Sequence, residues 1–189
     1  NIEQKNFLKI NIWKITIINK DVEKEFKMKK VAKFEIISEN QFKKDFKDFA
    51  AVYEKIKKPE RATIYSAGYD IFAPFSITLK PNQSIKVPTG IRVKMENNYV
   101  LLIFPRSSLG FKFRLQLDNT VGVIDSDYYN SDNEGHIFIK ITNDTKESKN
   151  VEIKEGDAFA QGIFLNYGIV EDDNASEIRN GGFGSTNKK

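Results

Sequence analysis

Most of the chain after Pro59 consists of short apolar stretches separated by turn residues. Pro-Asn, Thr-Gly, Asn-Asn and Glu-Gly pairs mark the turns, and the stretches recur roughly every ten residues. Many short strands at such a spacing are typical of a β-sandwich or barrel, so we predict an all-β fold. The predicted strands are 76–80, 84–88, 91–95, 99–104, 136–142, 150–154 and 159–165.

The segment before Pro59 has a different pattern. Residues 31–38 alternate as a strand does, and Ser38 and Gln41 have the spacing of a helix capping box. Apolar side chains then recur at the period of a helix face, namely Phe42, Phe46, Phe49, Tyr53 and Ile56. We predict one extra amphipathic helix over 39–57, docked on its own domain. The alternative interpretation is a helix that binds a partner.

Composition limits the classes of protein that this chain can form. With 189 residues, of which 40% are hydrophobic, we expect one globular domain. The chain has no Cys and a single His, His136, so we exclude a disulfide scaffold and thiol catalysis and expect any metal to be an oxygen-bound cation. The lack of Cys fits a reducing compartment, here predicted to be the cytoplasm. No run of 18 apolar residues exists, so we predict no membrane association.

The net charge of +4 belongs to the N-terminal leader. Residues 1–30 contain eight Lys and four acidic residues, which leaves 22 basic and 22 acidic residues for the rest of the chain. The body therefore lacks the basic excess of a nucleic-acid footprint, and we predict no nucleic-acid partner. We interpret residues 1–28 as an accessory extension or a start assigned too far upstream. Residues 29–175 would then form the β domain, and 176–189 a flexible Gly-rich tail.

The stretch from 105 to 128 combines an anion-binding turn with a sheltered carboxylate. Arg106 offers a planar fork of donors that suits phosphate oxygens, and Ser107 and Ser108 add hydroxyl and backbone N–H groups. Asp125 follows Gly-Val-Ile and is expected at the end of a strand. Each piece alone is more often a solvated loop or a turn. Their order suits the attack of water on a phosphate ester, with the carboxylate taking the proton and the cationic turn stabilising the phosphate.

Three further stretches carry polar groups in the β body and tail. In SAGYDIFAP, a tight Ala-Gly turn precedes Asp70, which is either a turn former or part of a site. In GDAFAQGIF, Gln161 lies in an apolar strand, so it requires hydrogen-bond partners from the protein or from a ligand. Ala160 and Gly162 beside it leave room for a close approach. The C-terminal RNGGFGST has the composition of a mobile loop that could lie over a nucleotide.

Taken together, these stretches resemble the five ordered motifs of the trimeric deoxyuridine triphosphate nucleotidohydrolases, the dUTPases. The matching segments in chain order are AGYDIFA, PRSSLG, NTVGVIDSDY, GDAFAQ and GGFGST, and the resemblance covers residues 31–189. It implies a jelly-roll-like β-sandwich and a homotrimer whose active sites lie between subunits. It also implies Mg²⁺-dependent hydrolysis of dUTP to dUMP and pyrophosphate, which keeps uracil out of DNA and supplies the precursor of thymidylate.

The resemblance further implies roles for single residues. Asp125 would orient and deprotonate the attacking water, and Asp70 would help to order the water shell of a Mg²⁺ held by the substrate phosphates. Tyr128 would pack against the deoxyribose, where a ribose 2′-hydroxyl would clash. The phosphates would be bound by Arg106, Ser107, Ser108, Gln161 and Arg179. Uracil would be read by a hairpin formed by Asn119, Gly122, Val123 and Ile124. The tail would close over the site with Phe183, Gly184, Ser185 and Thr186, and the Phe ring would lie over the uracil.

The chain departs from the family pattern after Tyr128. Where dUTPases usually continue Asp-Tyr-Arg-Gly, this chain has Tyr129 and Asn130, followed by a short insertion. Two alternatives to a dUTPase stay open. The deoxycytidine triphosphate deaminases share the fold but need an additional carboxylate as base, for which Asp132 and Glu134 are candidates. The trimer could also serve as a regulatory or partner-binding protein.

Overall fold

Antiparallel β-strands carry the fold in the part of the chain that this computed structural model describes, residues 28–48, 50–177 and 179. The leader predicted over 1–28 and the tail beyond Arg179 lie almost wholly outside these residues. The strands and helices among the described residues all belong to the unit that begins at Ala32. The strands are β1 (Ala32–Ile36), β2 (Glu60–Arg61), β3 (Tyr69–Phe72), β4 (Ile77–Leu79), β5 (Ser84–Pro88), β6 (Ile91–Met95), β7 (Tyr99–Pro105), β8 (Leu115–Leu117), β9 (Gly122–Ile124), β10 (Phe138–Asn143), β11 (Val151–Ile153) and β12 (Ala158–Asn166). The helices are α1 (Glu39–Asp45), α2 (Ala50–Tyr53), α3 (Ser107–Phe113) and a 3₁₀-helix (Ser126–Asn130).

The strands form four antiparallel sheets. The largest has the order β2–β3–β12–β7–β9, and the next has the order β5–β10–β8. Two further pairs, β1–β6 and β4–β11, complete the set among the described residues. All four sheets contribute side chains to one hydrophobic cluster. The prediction of an all-β, jelly-roll-like fold is confirmed.

Alternation explains why these segments pair as they do. In β6 the side chains of Ile91, Val93 and Met95 are buried, and the residues between them face outward. Because successive side chains of a strand point to opposite faces, one register satisfies the core and a slip by one residue would expose all three. Each such buried side chain contributes about 1.5–3 kcal/mol relative to an exposed one.

The helix predicted over 39–57 is instead two short helices. The hydroxyl of Ser38 accepts the backbone N–H of Gln41 at 3.1 Å, as the capping-box spacing predicted. The chain then becomes extended at Phe46 (φ −143°, ψ 119°), and α2 begins at Ala50. The break places the Phe46 ring in a parallel stack on Phe75, with centroids 5.0 Å apart. This tertiary contact, which the helical period of the sequence does not contain, accompanies the interruption.

Both helices dock on their own β domain, as predicted. Phe42 of α1 is fully buried, and Val52 of α2 is 7% exposed. None of the helices among the described residues is long and apolar enough to cross a bilayer.

Candidate active site

One group of predicted site residues lies where β3, β12 and β7 meet. Gln161 on β12 is opposite Asp70 on β3 and opposite Phe104 on β7. Arg106 follows the last residue of β7 directly, and its guanidinium forms an ion pair with the carboxylate of Asp70. Strand pairing thus brings together three residues from three separate motifs. We call Asp70, Arg106 and Gln161 the Arg106 cluster.

The ion pair with Asp70 holds the guanidinium of Arg106 in place. The two side chains are 32% and 18% exposed, so the pair is less screened by water than a surface pair. The backbone N–H of Arg106 donates to the carbonyl of Phe159 at 3.2 Å, which fixes the main chain as well. Because a guanidinium has five N–H donors, a pair with one carboxylate oxygen leaves donors for an anion. Ser107 and Ser108 are exposed at the start of α3, a seven-residue helix where the sequence had predicted a turn.

Gly68 makes room for the side chain of Gln161. A Cβ added at Gly68 would lie 2.7 Å from Oε1 of Gln161. The Nε2 of Gln161 lies 3.5 Å from the carbonyl of Pro105, at the limit of a hydrogen bond. A Cβ added at Gly162 would lie 2.8 Å from Cδ1 of Leu101. The space beside Gly162, which the sequence analysis expected to allow a close approach, is thus occupied by the side chain of Leu101.

The second group of site residues begins where β9 ends. Asp125 follows Ile124 and precedes the 3₁₀-helix, and its side chain is 48% exposed. The prediction of a carboxylate at a strand end is confirmed. The Arg179 guanidinium donates to Oδ2 of Asp125 at 2.5 Å, and its Nε lies 3.1 Å from Oδ1 of Asp127. We call Asp125, Asp127, Tyr128 and Arg179 the Asp125 cluster.

Tyr128 forms the inner wall of this cluster. Its side chain is 5% exposed, and its hydroxyl donates to the carbonyl of His136 at 2.8 Å and accepts from Nδ2 of Asn133 at 2.9 Å. Burial raises the pKa of Tyr128, so the hydroxyl remains a protonated donor. The guanidinium carbon of Arg179 lies 5.9 Å from the centre of the ring. The ring is therefore fixed at its hydroxyl and faces the tail arginine.

Sequence reasoning missed the partners of Tyr128. Asn133 lies in the segment interpreted as an insertion, and His136 entered the sequence analysis only as a limit on metal ligands. The one available signal was that an apolar strand begins with the only His of the chain.

The segment predicted to form a uracil-reading hairpin is not a paired hairpin. β8 pairs with β10, whereas β9 pairs with β7 in another sheet. The turn containing Asn119 therefore crosses between two sheets, because Leu117 and Ile124 enter the core from different sheets. Asn119 is exposed and Val123 is 58% exposed, while Gly122 and Ile124 are buried. The groups that could read a base are thus the turn and the exposed face of β9.

The carboxylate of Glu134 forms hydrogen bonds with Ser38, at the N-terminus of α1. Its carboxylate accepts the backbone N–H of Ser38 at 2.8 Å and the hydroxyl of Ser38 at 2.6 Å, which caps α1. It is therefore not placed as the base that a deaminase requires. Asp132, the other candidate, is exposed.

The two clusters of one chain lie at opposite ends of β7. Ile124 is opposite Leu101, so Asp125 lies level with Val100. Arg106, the first residue after β7, lies six positions further along the extended chain, which corresponds to about 20 Å. That separation is too long for Asp125 and Arg106 of one chain to contact the same phosphate group.

The remaining predicted residues of the tail lie outside the described residues. They are Phe183, Gly184, Ser185 and Thr186.

Comparisons with known proteins identify the relatives of this chain. A family model described as dUTPase matches residues 54–187. The deoxyuridine 5′-triphosphate nucleotidohydrolase of Lactococcus lactis subsp. lactis is 43% identical over 134 residues, which covers 69% of this chain and 88% of that protein. The protein of the same name from Methylobacillus flagellatus is 39% identical over 139 residues, with coverage of 69% and 88%.

Solved structures are similar as well. The crystal structure of dUTPase from Streptococcus mutans matches with a TM-score of 0.58 and 35% identity, covering 73% of this chain and 98% of that chain. A mutant dUTPase from phage phi11 of S. aureus, whose structure reveals the coordination of a structural Mg(II) ion, matches with a TM-score of 0.58 and 22% identity over 78% of this chain and 98% of that one. The second likeness shows the fold alone. The matched family model and the relative that is 43% identical show that this chain belongs to the dUTPase family.

Proposed function

We propose that this dUTP diphosphatase releases pyrophosphate from dUTP by in-line attack of a water on the α-phosphorus, with Asp125 as the general base. The observation that carries the proposal is the half-exposed carboxylate of Asp125 at the end of β9, with a guanidinium already beside it. A carboxylate in this position can accept a proton from a water that lies between it and a phosphate. The product dUMP is the precursor of thymidylate, and the reaction keeps uracil out of DNA.

Arg106 and Arg179 would stabilise the charge that develops on the phosphates. Arg106 is oriented by Asp70, so its donors need little reorganisation when a triphosphate binds. Arg179 pairs with Asp125 and Asp127, and binding of the triphosphate would transfer this guanidinium from carboxylates to phosphate oxygens. That transfer would also free Asp125 to act on water. Ser107, Ser108 and Gln161 would add neutral donors to the phosphates.

The residues fit a Mg²⁺ that arrives with the substrate. Among the described residues, no group of three or more acidic or His side chains could hold a metal ion, so the triphosphate would supply the oxygen ligands. The ion pair with Arg106 engages Oδ2 of Asp70, and a water of the metal shell could approach its other oxygen. When bound, Mg²⁺ neutralises phosphate charge and fixes the conformation of the triphosphate.

We propose that each active site takes Asp125 from one chain and Arg106 from another. The separation of about 20 Å along β7 supports this, because one chain alone cannot present both groups to one phosphate. A closed homotrimer would complete three such sites. Light scattering of the full chain would test the assembly. The account expects the mass of three chains, and a monomer active on dUTP would contradict it.

Base and sugar would be selected by separate parts of the site. The turn at Asn119 and the exposed face of β9, from Gly122 to Ile124, would read the uracil edge and leave no room for a 5-methyl group. Backbone N–H and C=O groups that hydrogen-bond uracil would discriminate strongly against other bases, because a wrong base leaves these polar groups unpaired. The fixed ring of Tyr128 would exclude a ribose 2′-hydroxyl. Phe183 and the three residues after it would close over the bound nucleotide and exclude bulk water.

Pyrophosphate release tests the proposal. The intact chain and Asp125→Asn would be assayed with dUTP, dCTP, dTTP and UTP in the presence of Mg²⁺. We expect release from dUTP to be far faster than from the other three nucleotides, and its loss in the variant with substrate binding retained. Ammonia from dCTP, or a fully active Asp125→Asn, would contradict it. The cytoplasmic setting and a regulatory role beside catalysis stay predictions.

A further inference from the structure

The 3₁₀-helix after Asp125 is too short to hold its own position. It contains five residues, and two of its backbone bonds are Tyr128 N–H to Asp125 carbonyl at 3.2 Å and Ser131 N–H to Tyr128 carbonyl at 3.1 Å. Helices of this type have poorer hydrogen-bond geometry than α-helices. The placement of this segment therefore depends on contacts that its side chains make with the rest of the domain.

Tyr129 fastens the helix to two paired strands. Its hydroxyl donates to Oε2 of Glu35 at 2.7 Å. The guanidinium of Arg92 reaches the same oxygen at 3.2 Å, and its central carbon lies 4.4 Å from the centre of the Tyr129 ring. Each of the three residues thus contacts both others. We call them the Tyr129 clamp.

The base of the clamp is formed by two residues on paired strands. Glu35 on β1 and Arg92 on β6 are directly opposite each other in the antiparallel register. Their side chains are 22% and 25% exposed, so the ion pair is partly sheltered from water. Hydrogen bonds from Lys33 and Tyr129 hold the pKa of Glu35 at about 2, so the carboxylate is charged at any working pH. Lys33 itself is 72% exposed and has no contact with the ring of Tyr129 among those the structure gives.

The clamp and the Tyr128 contacts act on neighbouring residues of one helix. Asn133 and the carbonyl of His136 hold the hydroxyl of Tyr128, while the clamp holds Tyr129. Because the two tyrosines are consecutive, a shift of one moves the other. Asp125 lies immediately before the same helix, but it also directly follows β9, whose pairing with β7 up to Ile124 holds it independently of the clamp.

We propose that Glu35 and Arg92, acting through Tyr129, are positioning residues that set the discrimination between deoxyribonucleotides and ribonucleotides. The inference rests on the function proposed above, in which the ring of Tyr128 lies against the sugar. Loosening the clamp would let the ring retreat, so that a 2′-hydroxyl could be accommodated. The main effect would be on the KM ratio between UTP and dUTP, since no clamp residue touches the reacting phosphate.

Steady-state kinetics of four proteins test this inference. They are the wild type, Tyr129→Phe, Glu35→Gln and the matched control Lys33→Gln. Tyr129→Phe removes a hydrogen bond to a charged group, and we expect the ratio of kcat/KM for dUTP over UTP to fall about tenfold. Glu35→Gln keeps an oxygen that can accept the hydroxyl, so its ratio should fall by less. Lys33→Gln should match the wild type, because it removes only the exposed partner of Glu35.

A double variant separates positioning from a general loss of structure. If the two residues act as one unit, Glu35→Gln combined with Tyr129→Phe will lower the ratio no further than Tyr129→Phe alone. Melting temperatures would be recorded for every protein. An unchanged dUTP-to-UTP ratio in Tyr129→Phe, at any melting temperature, would overturn the inference alone. A folded wild type that does not hydrolyse dUTP would overturn the proposed function, and this inference with it.

Discussion

The buried His136 predicts how the stability of the domain depends on pH. Its side chain is fully buried, its Nδ1 lies 2.7 Å from Oδ2 of Asp45, and its Nε2 accepts the backbone N–H of Gly90 at 2.9 Å. Because Nε2 is an acceptor, the proton of the neutral ring must be on Nδ1, where it donates to Asp45. A second proton on Nε2 would face the N–H of Gly90. The native environment therefore favours the neutral imidazole.

Burial and Asp45 act on the pKa of His136 in opposite directions. Burial lowers it from the ordinary value of 6.5, the carboxylate of Asp45 raises it, and burial is the larger effect. Just below pH 6.5, His136 is therefore protonated in the unfolded chain but stays neutral in the native chain. The stabilisation is complete above pH 6.5 and is lost as the pH falls. The loss approaches about 1.4 kcal/mol per pH unit for each chain.

Thermal unfolding at pH 7.5, 6.5 and 5.5 measures this loss. His136 is the only His of the chain, and ordinary carboxylates titrate mostly below this range, so the slope reports one group. We expect the melting temperature to fall by about 3–5 °C between pH 6.5 and 5.5. In His136→Gln, which is less stable throughout, the slope should disappear. Stability that stays level or rises on acidification would refute the reasoning, because it would mean that the ion pair with Asp45 outweighs burial.

Three substitutions test the packing around the site. Gly68→Ala places a Cβ 2.7 Å from Oε1 of Gln161, and since that side chain can move, we expect a several-fold higher KM for dUTP with little change in melting temperature. At Gly135, whose φ is +70°, an added Cβ would lie 2.8 Å from the backbone of Tyr128 and Tyr129. In denaturant unfolding, Gly135→Ala should therefore lower the free energy of unfolding by about 1–3 kcal/mol. The control Gly168→Ala, whose Cβ would have no heavy atom within 4 Å, should leave it unchanged. Phe42→Ala should cost about 3–5 kcal/mol in the same assay, because the side chain is fully buried, and a smaller loss would mean that α1 is not docked in solution.

The sequence predicts the longer strands well because their pattern is local. β5 and β6 have the predicted bounds, since alternation and flanking turns are visible in the residues themselves. The three-residue strand β8 escaped prediction, whereas β4 and β11, of the same length, lie inside the predicted strands 76–80 and 150–154, and the end of β9 was expected at Asp125. The break at Phe46 also escaped it, since the stack on Phe75 joins residues 29 positions apart in the chain.

For the site, motifs identify residues but do not show which of them meet. Asp70, Arg106 and Gln161 were expected in one site with Asp125, and within one chain strand pairing places them at the other end of β7, as a site between subunits requires. Their separation depends on the register of β9 with β7, which no local pattern contains. The sequence did not predict the Tyr129 clamp either. Residues 35 and 92 are far apart in the chain and are brought together by the pairing of β1 with β6, and Tyr129 contacts them only in the folded domain.

The most direct test of the account uses two variants that are each expected to be inactive, Asp125→Asn and Arg106→Ala. They are mixed in equal amounts, unfolded and refolded together, so that mixed trimers form. If each site takes Asp125 from one chain and Arg106 from the next, random assembly restores both groups in about a quarter of the sites. We predict recovery of about a quarter of the wild-type rate of pyrophosphate release from dUTP, with neither variant active alone. No recovery from mixed trimers of the correct mass would contradict a site shared between chains.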